Sequence, residues 1–116
     1  MTNPLKGEVQ ISLGEKTYKA RLTIDALVRI EEATNLGILK LATKIASAEC
    51  KLSELIIILT AALRGGGNDL QEKDIKEIIS DIGIVQASTE VARLIASSLS
   101  DPNDEEAEEV KLEKAT

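Results

Sequence analysis

Between Ser53 and Gly65 the chain carries Leu55-Ile56-Ile57-Ile58-Leu59 and, after one threonine, Ala61-Ala62-Leu63. Wound into a helix, this segment is apolar nearly all round and has no side to give to water. A helix of that kind is either central in its fold or also covered by a partner. The unbroken run from Leu55 to Leu59 is far shorter than the ~20 residues a bilayer requires, so no membrane partner is expected. Ser53 is the expected N-cap, and Gly65-Gly66-Gly67 the expected end.

The chain before it alternates. Val9, Ile11 and Leu13 point one way and Glu8, Gln10 and Ser12 the other; Tyr18, Ala20 and Leu22 alternate with Thr17, Lys19 and Arg21. Strands over 8–13 and 17–22, joined by a loop at Gly14-Glu15-Lys16-Thr17, would pair Leu13 with Tyr18, Ile11 with Ala20 and Val9 with Leu22. Both apolar sets then share one face, which must pack on something helical because an isolated hairpin is marginal in water. Two strands on a helical body leave two edges. These are either templates for strand addition from another chain or a solvated rim guarded by its own charges.

Four or five helices follow. Thr23 suits an N-cap, with Asp25 in the first turn and Leu22 able to staple onto Leu27, and Gly37 suits the stop. Ile38, Leu41, Ala42 and Ile45 form the stripe of a second helix. Beyond the glycines, Asn68 or Asp69 can cap a helix with Ile75, Ile78, Ile79 and Ile82 inside. Gly83 interrupts, and a last helix shows Ile84, Ala87, Val91, Leu94, Ile95 and Leu99. There is no internal repeat. The fold class expected is α+β, mainly α: an N-terminal β-hairpin leading into a helical bundle over residues 1–100.

The charge of −6 is concentrated at one end: residues 101–116 hold seven acids and two bases, whereas 1–100 hold 13 acids and 12 bases. A segment so poor in apolar residues is expected to be disordered or a frayed helix, serving solubility or contact with a basic partner. A nearly neutral body with one aromatic residue offers nucleic acid neither a basic face nor stacking platforms. Met1-Thr2-Asn3-Pro4-Leu5-Lys6 contains no apolar signal segment, and a cytoplasmic protein is expected.

The absence of His removes the usual catalytic triads and imidazole metal ligands, and one Cys forms neither an internal disulfide nor a thiolate zinc site. No cofactor, metal or catalytic residue is expected. The triple glycine is followed by Asn68-Asp69 where a phosphate loop needs Lys and Ser or Thr, so it reads as a helix stop and chain reversal. Asp69, Glu72, Asp74 and Glu77 do not follow the EF-hand spacing. Cys50 reads as a small packing residue and Tyr18 as the hairpin's aromatic core contact. The candidate partner-binding residues are Glu8, Gln10, Lys19 and Arg21 on the hairpin's polar face, and Arg64, which otherwise serves as a last-turn cation.

Several segments taken together resemble a known family. Gly7-Glu8-Val9 opens the hairpin, and Arg21-Leu22-Thr23-Ile24-Asp25-Ala26-Leu27 leads into a helix with Ile30-Glu31. Leu63-Arg64-Gly65-Gly66-Gly67 and Val91-Ala92-Arg93-Leu94 follow. Over about residues 5–100 the chain resembles the small gene-transfer-agent proteins grouped with phage tail assembly chaperones, a family also named for tail tube proteins. The resemblance implies a non-catalytic role in building a phage-like tail, with the tape-measure and tail-tube proteins as partners and self-association as a further possibility. An aliphatic-rich, charge-balanced domain suits a chaperone, whereas a tube subunit needs more β structure than one hairpin. The alternatives are a structural tail component, or a small adaptor whose acidic end mimics nucleic acid.

Overall fold

The computed structural model describes residues 7–99. Strands β1 (Glu8–Leu13) and β2 (Lys16–Arg21) form an antiparallel hairpin, followed by five helices. These are α1 (Ile24–Thr34), α2 (Ile38–Ala46), α3 (Leu52–Gly65), α4 (Glu72–Ile82) and α5 (Ile84–Ser98). The expected hairpin-plus-bundle architecture is present. The expectation for residues 101–116, and with it the boundary at residue 100, lies outside the described residues.

The hairpin register differs from the one the alternation suggested. Leu13 pairs with Lys16, Ile11 with Tyr18 and Val9 with Ala20, so the loop is Gly14-Glu15 alone. Gly14 has φ +74° and Glu15 is not in the left-handed region, the pattern of a II′ turn, whose twist matches that of the strands. The slip is two residues, and because side chains alternate with period two, every side chain keeps its face. Ile11, Leu13 and Ala20 are buried as expected, and Tyr18 packs half-buried against the core. Leu22 lies past the strand end but is buried too.

The apolar segment is the centre of the molecule. In α3, Leu55, Ile56, Ile58, Leu59, Ala62 and Leu63 are buried, and the helix meets α1, α4, α5 and β2. Of the two fates open to a helix without a polar face, the fold adopts the central one. Ala26 and Ile30 of α1 pack against it, and Leu41 and Ile45 of α2 extend the core beyond, against α5 and α1. Ile75 and Ile79 of α4 and Ala87, Val91, Leu94 and Ile95 of α5 complete the shell.

Helix ends follow local hydrogen bonding more closely than residue preference. Thr23 caps α1 as expected, its hydroxyl accepting from Ala26 N at 3.0 Å. α1 stops at Asn35 in the left-handed region (φ 59°), and Gly37 instead begins α2. Glu31 reaches across the joint and accepts from Ile38 N at 2.8 Å, supplying the cap that Gly37 has no side chain to give. α3 starts from Lys51 and not from Ser53, because the Glu54 carboxylate accepts from Lys51 N at 2.8 Å. α4 starts from Gln71 and not from Asn68 or Asp69, with Asp74 accepting from Gln71 N at 2.8 Å. Ile84, expected inside, is 55% exposed at the first position of α5.

Candidate functional site

The hairpin's edges decide how it can meet a partner. On β1, Ser12 N donates to Glu90 Oε1 at 2.8 Å, and Gln86 Nε2 donates to Ser12 O at 3.3 Å. Arg93 Nη2 donates to Gln10 O at 2.6 Å. All three side chains lie on α5, which therefore runs antiparallel to β1. On β2, Asn68 Nδ2 donates to Lys19 O at 2.7 Å. Gly65 and Gly66 bring the end of α3 so close to the strand that a methyl on either would collide with the carbonyl oxygen of Arg21 or Lys19. Strand addition, one of the two fates the sequence allowed, is thus blocked at both edges by groups of the same chain.

The triple glycine turns out to serve this closure. Asn68 N bonds to Leu63 O at 2.9 Å and Gly67 N to Arg64 O at 3.0 Å, a Schellman end with Gly67 in the left-handed region (φ 97°). Gly67 turns the chain, while Gly65 and Gly66 let the helix end touch β2. Helix stop and reversal were legible in the sequence; the strand contact was not.

The predicted partner-binding residues are brought together. The corrected register sets Glu8 opposite Arg21 and Gln10 opposite Lys19 on the hairpin's outer face. The close contact between α3 and β2 sets Gly65, the residue after Arg64, against the backbone of Arg21. An open groove of about 280 Å³ runs between the start of α1 and the end of α3, lined by Thr23, Asp25, Ala26, Arg29, Ala61, Arg64 and Gly65. Arg29 was missed by the sequence reading; its only signal was its place on the row next to Asp25, one turn along α1. Arg93 was visible only as part of a resemblance. Its guanidinium also pairs with Glu90 at 3.0 Å.

Among the described residues Arg21, Arg29 and Arg64 make no ion pair. A guanidinium is a planar fork that matches a carboxylate with two parallel hydrogen bonds, and it keeps its charge at any physiological pH. This corner therefore presents guanidinium groups of the shape and charge that suit a carboxylate.

Among the described residues the one buried charge lies elsewhere. Glu54, 5% exposed, takes Lys44 Nζ on both oxygens at 3.0 Å. Burial pushes its carboxyl up, but the Lys51 N–H and the Lys44 ammonium outweigh that and hold it below its ordinary value. Beside it the Cys50 thiol is pushed up to about 11, chiefly by burial and further by the Glu54 charge. A thiol so rarely ionised is a poor nucleophile, which agrees with the packing role expected of Cys50. Glu90 follows Glu54: burial raises it, while Arg93 and Ser12 N lower it further. Among the described residues no group of His, Cys, Asp and Glu could hold a metal ion, and no helix is long and apolar enough to cross a membrane.

A family model described as phage tail tube protein, GTA-gp10, matches residues 6–101. No curated protein and no solved structure matches the chain.

Proposed function

Because the chain belongs to the phage tail tube protein, GTA-gp10 family, we propose that it serves phage-like tail morphogenesis as a non-catalytic assembly chaperone for tape-measure or tail-tube protein. The observation that carries this reading is the state of the hairpin. A subunit that extends a tube wall through its sheet needs an open strand edge, and here side chains of α5 and the end of α3 occupy both. Contact with a partner then falls to side chains: the outer face with Glu8, Gln10, Lys19 and Arg21, the Arg64 corner, and scattered aliphatic groups. Among these last, Ile24 is 74%, Leu39 72% and Val85 81% exposed. The apolar α3, which by sequence could have been a docking surface, is excluded from that role because it is internal.

A second reading, a structural component of the finished tail, is favoured by the family's own description. Quantitative mass spectrometry of purified tails, with co-expression of the tape-measure protein, separates the two. The chaperone reading expects co-purification and a gain in tape-measure solubility, with the chain absent from finished tails. Stoichiometric presence in finished tails would establish the structural reading instead.

A further inference from the structure

Three of the chain's four arginines lie on or beside one groove. Arg29 and Arg64 line the groove between α1 and α3, and Arg21 adjoins it through the contact of its carbonyl with Gly65. Lys19 stands two residues away on the same face of β2. The carboxylates nearby are Asp25 in the groove, Glu8 across from Arg21, and Asp69, which follows the Asn68 that bonds Lys19 O. Four cations against three acids leave a small local positive excess on a body whose residues 1–100 are otherwise close to neutral.

The matching acidic segment is in the same chain. Asp104-Glu105-Glu106-Ala107-Glu108-Glu109 begins five residues after Leu99, where α5 has just ended. Arg93 of α5 reaches Gln10, so the last turn of α5 lies toward Glu8, at the end of the hairpin where Arg21 also stands. From there to the groove is one strand spacing of ~5 Å and a helix-packing distance of ~10 Å on either side, roughly 25 Å in all. Extended chain covers ~3.3 Å per residue, so Glu105 to Glu109 lie ~20 to 33 Å along the chain from Leu99. Reach and charge both fit.

We infer that residues 104–109 occupy the arginine groove of their own chain, as a built-in competitor for whatever acidic surface a partner presents there. Binding is electrostatic and open to solvent, hence easily displaced and sensitive to salt. The inference goes beyond the proposed tail role. Its test contains no tail protein, so either can fail without the other.

The test is paramagnetic relaxation on the full chain, with a nitroxide on A107C in a Cys50→Ala background. At low salt the amides of Ala26, Arg29, Ala61 and Arg64 should broaden several-fold more than those of Gly14, Ile84 and Val85 at the opposite end of the hairpin. The difference should vanish in the Arg29→Gln/Arg64→Gln variant, and at about 0.5 M NaCl, where the screening length is about 4 Å. Uniform broadening, or broadening indifferent to the arginines, overturns the inference. So does broadening passed from a labelled chain to an isotope-labelled, nitroxide-free one, which would make the contact intermolecular. Should the cysteine-free chain fold poorly, the arginine side-chain N–H shifts give the same answer. Those of Arg29 and Arg64 should move when Glu105, Glu106, Glu108 and Glu109 are changed to Gln, and unmoved shifts overturn it equally.

Discussion

Gly65→Ala sets two physical effects of opposite sign against each other. Gly65 is the last residue of α3, and within a helix alanine is favoured over glycine by about 1 kcal/mol, so local propensity alone predicts a more stable protein. The tertiary structure predicts the reverse. The new methyl would lie well inside contact distance of the Arg21 carbonyl oxygen, and the obstacle is backbone, which cannot swing aside as a long side chain could. Carbon ordinarily approaches such an oxygen no closer than about 3.3 Å, so α3 and β2 must separate by on the order of 1 Å.

Overpacking of that kind costs about 1–3 kcal/mol. The shift also stretches the 2.7 Å bond from Asn68 to Lys19 O, worth about 1 kcal/mol. Set against the propensity gain, the net is a loss of about 1–3 kcal/mol. Urea denaturation followed by helical circular dichroism measures it, the chain having no tryptophan. Gly37→Ala is the control: no atom stands within 4 Å of the added methyl and φ is −64°, so a change within about 0.5 kcal/mol is expected. A Gly65→Ala protein as stable as its parent would refute the idea that α3 seals the β2 edge by direct contact.

Three further outcomes follow from other sites. Ala48 holds the left-handed position (φ 60°) of a Schellman end on α2, with Glu49 N to Lys44 O at 2.8 Å. Ala48→Gly should therefore raise the urea midpoint by the equivalent of about 1 kcal/mol, and a lowered midpoint would contradict that reading. Glu54 and Glu90 both have depressed folded-state pKa values, so their stabilisation is complete above the unfolded value of about 4.3 and is lost as pH falls through the folded ones. Stability should drop between about pH 5 and 3, and Glu54→Gln should flatten that slope while lowering stability at neutral pH by about 2 kcal/mol. A Cys50 thiol near 11, against an ordinary 9.0, should react with iodoacetamide at pH 8 about 100-fold more slowly than in the urea-unfolded chain. Equal rates would show the thiol to be free of its surroundings.

Sequence by itself determined the element order, because the period of the apolar pattern, two and then 3.6, is a property of the covalent chain. It determined that Leu55 to Leu63 would be enclosed, and which side of each strand faces inward, since a hairpin slip of two residues leaves parity intact. The register and the starts of α3 and α4 turned on competition among near neighbours that residue preference does not rank, with Glu54 and Asp74 taking the N–H of Lys51 and Gln71 where serine and asparagine were favoured. Only the tertiary structure decided the fate of the hairpin edges and the setting of Arg29 and Arg64 in one groove beside β2. These depend on which distant groups come close to one another, Gly65 against Arg21 or Arg93 against Gln10. No local pattern encodes an approach between residues more than forty positions apart.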